Sequence, residues 1–429
     1  MSIARSDSSI FETVESEVRS YCRSWPVVFD RARGSHMYDE WGRPYLDFFT
    51  GAGTLNYGHN NPVLKRALLD YLGRDGVTHA LDMSTVAKRA FLGAFRDTIL
   101  LPRGMDHKVM FTGPTGTNAV EAALKLARKV TGRKDIIYFT NAFHGVSLGS
   151  LAVTANAVKR AGAGIPLVNS TEMAFDNGLS DEAPRLLGLE RLLDDRGPGP
   201  ARPAAVIVET VQGEGGVHVA RIEWLRDLAS LCKRHGMLLI IDDIQMGCGR
   251  TGDFFSFERA GIIPDVITLS KAVSGYGLPL ALTLFKPELD VWKPGEHNGT
   301  FRGNNPAFVT ATAALQTYWT DGQLEKQVLL RSEQIEVAFR AITAHRPDVS
   351  YRGCGLVWGL DFQNRNVASK VAERSFELGL LVETVGPDDE VVKLLPPLTI
   401  TPEELGEGLS ILGRAVHEAG TASEDSLPI

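Results

Sequence analysis

The chain is short of the features that would place it in a bilayer, on a nucleic acid or in an oxidising compartment. No stretch of its 429 residues approaches the ~20 consecutive apolar residues of a membrane span. Basic residues are outnumbered: 45 Lys and Arg face 52 Asp and Glu, a net charge of −7, which disfavours nucleic acid and anionic lipid as partners. The four cysteines, Cys22, Cys232, Cys248 and Cys354, have neither metal-ligand nor disulfide-framework spacing and read as free thiols, so no metal site is expected. The opening M-S-I-A-R-S-D-S-S-I-F-E has no apolar signal core, and the expectation is a cytoplasmic protein. With 44% hydrophobic and 23% charged residues, what remains is ordinary globular composition, long enough for one large domain and a smaller one.

Apolar, β-branched runs at 108–111, 136–139, 205–209, 237–241 and 266–269 alternate with amphipathic stretches, the pattern of an α/β protein with a buried, mostly parallel sheet. The run 280–285 adds a further strand. The expected division is an N-terminal segment 1–60 packing with a small domain, a large domain 61–320, and a small C-terminal α/β domain 321–429. Finer expectations are an acidic helix over 10–20, strands at 26–29 and 351–362, a loop at 155–166 and a surface excursion over 176–203. The C-terminal helix is expected to span 402–418, with a disordered tail from 420.

Two strand ends carry unusual residues. The run 266–269 leads into Ser270-Lys271, and a buried lysine loses the hydration of its ammonium, so its pKa falls. An amine so depressed can attack a carbonyl and form a Schiff base. A lysine that merely snorkels at a strand end is the ordinary alternative. The run 237–241 ends in Asp242-Asp243, at the edge where open α/β sheets bind ligands. An N-cap or a metal ligand would also explain Asp242. Together, however, Lys271 and Asp242 suit pyridoxal 5'-phosphate: one for the aldehyde, the other to hold a proton on the ring nitrogen.

Between strand and helix, Gly113-Pro114-Thr115-Gly116-Thr117-Asn118 forms a cup for an anion at a helix N-terminus. It is neither a P-loop nor a dinucleotide turn, which argues against a nicotinamide dehydrogenase. Phe143 follows a strand and could pack in the core or stack on a flat ring. Glu214, set among glycines, is either solvated or points into a site. The aperiodic stretch 292–305 is long enough to be functional.

Taken in order, Thr115 to Glu121, Phe143-His144-Gly145, Glu209 to Gly216, Asp242 with Gln245, Gly249-Arg250-Thr251-Gly252, Lys271 and Gly299-Thr300-Phe301 resemble the class-III, or ω-, aminotransferases of fold-type-I pyridoxal phosphate enzymes. The resemblance covers about residues 20–415. Four longer stretches, beginning D-F-F-T-G, F-T-G-P-T, V-W-K-P-G and V-K-L-L-P, narrow it to a member that moves the amino group of glutamate to a small semialdehyde. Roles follow by resemblance. Lys271 would bond the cofactor and shuttle the proton. Asp242 would pair with the ring nitrogen, and Gln245 would bond the ring hydroxyl. Ile244 would lie under the ring and Phe143 over it, with His144 beside it. Thr115, Gly116 and Thr117 would hold the phosphate. Thr300 would reach the phosphate of a neighbouring subunit, implying a homodimer or a dimer-based homotetramer. Many relatives grip a substrate carboxylate with an arginine where this chain has Lys393, a point charge without the bidentate fork. Either Lys393 pairs with Glu214 when a diamine-derived substrate is bound, or it is a strand-edge lysine facing water. Arg23, Arg160 and Arg302 are further candidate carboxylate partners.

Overall fold

In the computed structural model, residues 9–176, 186–194, 202–344 and 346–424 are described. Seven strands form the central sheet. Their spatial order is Lys108–Phe111, Leu282–Phe285, Val266–Leu269, Leu238–Asp242, Ala205–Val208, Ile136–Phe139 and Ser170–Met173. Leu282–Phe285 runs antiparallel to both neighbours, and the remaining pairings are parallel. Four of these strands are buried at every position, as their largely apolar sequences require.

Helices cover the sheet. The helix Gly116–Thr131 buries Ala119, Val120, Ala122, Ala123, Leu124, Leu126 and Ala127, a small-residue face that lets it approach the strands closely. It ends at Gly132, which takes the left-handed conformation that glycine adopts without a Cβ penalty. On another side Phe91, Phe95, Phe111 and Phe308 pack with ring centroids 4.8 to 6.1 Å apart. Each such aromatic pair adds about 0.5–1.5 kcal/mol beyond its burial.

Two smaller sheets flank the C-terminal edge of the large one. Phe29–Arg33, His36–Asp39 and Pro44–Asp47 form a meander that Leu380–Leu381 joins in parallel. Ser350–Cys354, Val357–Asp361, Val391–Leu394 and Glu383–Val385 form an antiparallel sheet. The chain changes sheets at Val382. Arg250, fully buried, reaches across this junction: its guanidinium donates to the carbonyls of Leu356 (2.9 Å) and Pro396 (2.5 Å) and to Asn56 Oδ1 (2.6 Å). It has no carboxylate among these partners, and burial pulls its pKa down to about 9.

Several local expectations give way to tertiary context. The N-terminal helix is only Ser9–Val14; it buries nothing, and a helix without a packed face is marginal. The first strand lies at Phe29–Arg33, after the expected 26–29. The stretch 155–166 contains the short helix Ala157–Ala161. The stretch 351–362 is a hairpin, not one strand, because Gly355 turns it at φ +54° and a Cβ there would lie 2.4 Å from the Arg250 carbonyl. In the excursion 176–203, the helix Leu187–Asp194 is described and much of the rest lies outside the described residues. The last helix, Pro402–Glu424, runs past 420, where a disordered tail is expected.

Candidate active site

Strand pairing brings the lysine and the acid to one edge. Asp242 is the last residue of Leu238–Asp242, and its parallel neighbour sets Thr268 beside it. Lys271 follows three positions on, at φ +50°, in the left-handed region that a β-carbon disfavours. Such a residue costs about 1–3 kcal/mol and persists only where its surroundings impose it. Here Ser270 Oγ donates to the Leu280 carbonyl (2.9 Å), and the 3-10 turn Lys271–Ser274 fixes the other side. The Lys271 ammonium donates to the Ala52 carbonyl at 2.9 Å. Its pKa is held below the ordinary lysine value, first by burial; Glu214 opposes this and the nearby Lys393 charge adds to it. Ala52 belongs to a loop that is itself left-handed at Thr50 and Ala52, pinned by the Asp47 carboxylate, which accepts from the amides of Phe49 and Thr50, both at 2.8 Å.

The Asp242 carboxylate is buried and fully engaged. Its Oδ2 accepts from His144 Nδ1 (2.7 Å), and its Oδ1 from Thr268 Oγ1 (3.1 Å) and the Ile244 amide (3.2 Å). Burial works against a charge on His144, but the bond to Asp242 and the charges of Asp242 and Glu209 outweigh it, so its pKa is raised. His144 therefore stands behind Asp242, with its amide donating to Thr154 Oγ1 (2.9 Å). Glu209 closes the group. Burial raises it to about 8, and its Oε1 accepts from the Phe143 amide at 2.9 Å.

At the third corner stands the N-terminus of Gly116–Thr131. Thr115 is its N-cap residue, exposed, with its hydroxyl bonded to Asn118 Oδ1 (2.8 Å). Thr117 Oγ1 lies 2.7 Å from Ser147 Oγ. Glu121, one turn on, takes hydrogen bonds from the amides of Gly149 (2.8 Å) and Ser150 (3.1 Å) and from Ser147 Oγ (2.6 Å), so the 147–150 turn is tied to the helix start. Gly116 faces Ile244: a Cβ there would sit 3.0 Å from Ile244 Cδ1.

Glu214 and Lys393 are paired with each other, and Lys393 does not face water. Lys393 lies on Val391–Leu394, an interior strand, with no solvent exposure. Its ammonium is 2.8 Å from Glu214 Oε1 and 3.1 Å from Glu383 Oε1. Burial alone would lower Lys393, but the two carboxylates raise it; Glu214, despite its own burial, is held down to about 2 by Lys393 and then Lys271. Gln245 Nε2 joins the pair to the lysine loop, donating to Glu214 Oε1 (2.9 Å) and to the Ala52 carbonyl (3.0 Å). Phe143, half-buried, lines a cavity of about 280 Å³ together with Glu214 and Glu383, so its ring is available to a ligand.

Thr300 is set apart from these residues. It lies on an exposed loop, where its carbonyl accepts from His79 Nε2 at 2.7 Å. Arg23 is occupied by Glu17 (2.6 Å), and Arg160 by the carbonyls of Leu151, Ala152 and Thr154. Arg302 bonds Asn298 Oδ1 at 3.2 Å. Two participants, Glu209 and Glu383, had no role assigned from sequence. Each had a signal: an acid closing or interrupting an apolar run, as Asp242 does.

The donor set fits pyridoxal phosphate. Lys271 offers a deprotonatable amine at the edge where Asp242 offers a buried carboxylate. Gln245 Oε1 is buried without a hydrogen-bond partner among the described residues, which suits a ring hydroxyl. The Gly116 turn leaves room beside Ile244 and presents a helix N-terminus to a phosphate. Sheet, amine and acid together define an enzyme that works on amino groups through pyridoxal phosphate. The chain belongs to the class-III aminotransferases, whose family model matches residues 19–416. Within that family it is 70% identical over 421 residues to the diaminobutyrate–2-oxoglutarate transaminase of Streptomyces avermitilis, across 97% of this chain and 100% of that protein. The enzyme of the same name from Halalkalibacterium halodurans is 56% identical over 416 residues, 96% of this chain and 97% of the relative. Among solved structures, the ornithine aminotransferase of Toxoplasma gondii superposes with a TM-score of 0.84 at 25% identity, covering 96% of this chain and 95% of that one.

Proposed function

We propose that this enzyme transfers an amino group between L-glutamate and L-aspartate 4-semialdehyde, giving 2-oxoglutarate and L-2,4-diaminobutyrate. The observation that carries the reading is the 70% identity, end to end, with a relative of that name. The buried Lys393–Glu214 pair in place of an arginine supports it. On this reading the reaction opens ectoine biosynthesis, serves the response to osmotic stress and runs in the cytoplasm. The working unit is a homodimer or a dimer-based homotetramer, with Thr300 reaching the neighbouring phosphate.

When bound, pyridoxal phosphate supplies the aldehyde that carries the amino group and a protonated ring that draws electrons away from the reacting carbon. Lys271 would hold it through its amine. Its Nζ would take the proton from the substrate carbon that bears the reacting nitrogen and return it on the far side of that nitrogen. Asp242 keeps the ring nitrogen protonated, and His144, with Thr268, keeps Asp242 from turning. Thr115, Gly116 and Thr117 would hold the phosphate, Ile244 and Phe143 would lie against the ring, and Gln245 would meet its hydroxyl. Glu214 and Lys393 stay paired for the semialdehyde-derived substrate and part for glutamate, whose α-carboxylate takes the lysine.

Two half-reactions in one site give ping-pong kinetics. A donor panel tests the specificity: with 2-oxoglutarate as acceptor, diaminobutyrate is expected to outrun 4-aminobutyrate and ornithine. Equal or faster use of either rival would replace this reading with an enzyme for that donor.

A further inference from the structure

The substrate end of the site holds one carboxylate more than its lysine needs. Lys393 is buried, and a single carboxylate would balance it, yet Glu214 and Glu383 lie 2.8 and 3.1 Å from its ammonium. The two acids are not equivalent. Glu214 Oε1 accepts well-formed hydrogen bonds from Lys393 and Gln245. Among the described residues, Glu383 Oε1 is buried and has no partner in hydrogen-bond geometry, although the ammonium is near. A carboxylate kept 7% exposed and short of donors is costly. It sits there because strand pairing sets Glu383 directly opposite Lys393.

Both acids line the 280 Å³ cavity beside Phe143, and Lys159 is the cation among its lining residues, with its ammonium 5.5 Å over the Phe143 ring. Glu214, Glu383 and Asp389 thus line the cavity together with one lining ammonium, that of Lys159. The field of Glu383 also reaches Lys271, so this wall lies close to the reacting amine.

We propose that Glu383 is a specificity residue that receives the second, non-reacting ammonium of an α,ω-diamino acid, while Lys159 faces that acid's carboxylate. The inference rests on the function proposed above and names the group that selects the substrate. 4-Aminobutyrate carries no second ammonium and leaves Glu383 unmet. Ornithine carries one, a carbon further from the reacting nitrogen. Glutamate brings none either, but then Glu383 stays with Lys393 and lets it leave Glu214 for the α-carboxylate. One extra acid serves both half-reactions. Burial holds Glu383 up at about 7, and an arriving ammonium would favour its ionised form.

The test uses the cofactor-loaded enzyme in single half-reactions, followed by the cofactor's absorbance, so that apparent affinity and limiting rate separate. A charged hydrogen bond lost from a buried site corresponds to roughly a 10–100-fold weaker apparent affinity, which is expected for diaminobutyrate with Glu383→Gln. The loss should fall on affinity more than on limiting rate, glutamate should weaken less than diaminobutyrate, and the preference over 4-aminobutyrate should collapse. Glu383→Asp, which keeps the charge, should retain part of that preference, and Lys159→Gln should weaken diaminobutyrate and 4-aminobutyrate alike. If Glu383→Gln weakens all three ligands equally, or leaves the preference intact, Glu383 is only a structural acid and the inference fails alone. If the unsubstituted enzyme is saturated by 4-aminobutyrate as readily as by diaminobutyrate, the proposed function fails and takes the inference with it.

Discussion

The site contains two buried charge clusters of similar composition and different build. At one end His144 stands between Asp242 and Glu209; at the other Lys393 stands between Glu214 and Glu383. Each has one base and two acids. In the first, Asp242 is bound by a ring nitrogen, a hydroxyl and a backbone amide, and Glu209 holds the amide of Phe143. In the second, Glu214 is bound side chain to side chain, and Glu383 lacks a well-aligned donor among the described residues. Fixed backbone partners suit an end that must present one geometry throughout. Side chains that can trade partners suit an end that must accept two substrates in turn.

Lys271 feels both clusters, and removing it should have the largest effect. Lys271→Ala is expected to cut turnover by about 10³-fold or more, because covalent attachment and proton transfer go together. Rates near those of the unsubstituted enzyme would disprove the assignment. Next comes the rigid cluster. Asp242→Asn should lower the limiting rate of both half-reactions by roughly 10²–10³-fold, as expected when a preorganised charge is lost. A loss confined to one half-reaction would mean that the two ends have been assigned the wrong way round.

The loose cluster should respond unequally. Glu214→Ala leaves Lys393 with Glu383 alone, and the half-reactions of glutamate and diaminobutyrate should separate by about tenfold, equivalent to ~1.4 kcal/mol. Stability should fall by less than the ~3–5 kcal/mol of a fully orphaned buried charge. Half-reactions that remain untouched would sink the exchange of partners, and a protein that fails to fold would make Glu214 the structural acid instead.

Each cluster is legible in the sequence only in part, with Glu209 missing from the rigid one and Glu383 from the loose one. Asp242 and Lys271 announce themselves because a polar residue ends an apolar run, and parallel strands put such ends together. Family resemblance then supplied Gln245, Ile244 and Phe143. Glu383 was not legible as a site residue, since its partner Lys393 is its neighbour only through antiparallel register, which an unaligned chain does not display. The hairpin at Gly355 was hidden for a related reason: the carbonyl that excludes a side chain there belongs to Arg250, about a hundred residues away in sequence. Likewise, nothing local says that residues 10–20 lack a surface to pack on.

The smallest effect concerns protons, and it distinguishes the clusters by where they titrate. Burial holds Glu383 and Asp243 up at about 7 and Glu209 at about 8, and His144 is raised as well. The folded protein binds these protons more tightly than the unfolded chain. Their contribution to stability is therefore complete below the ordinary values and is lost as pH rises through the folded ones. Glu214, held at about 2, works the other way, and its contribution disappears only in acid below its ordinary value. Between pH 5 and 8 the melting temperature should fall as pH rises. Glu383→Gln should flatten that fall below about pH 7, whereas Glu209→Gln should still flatten it up to about pH 8. For a chain of this size each change is expected to be about 1–3 °C, readable by thermal denaturation of the cofactor-loaded enzyme at matched ionic strength. A melting temperature that climbs across this window would show that the acids ionise freely when folded. The two clusters would then be ordinary paired charges rather than one locked arrangement and one exchangeable one.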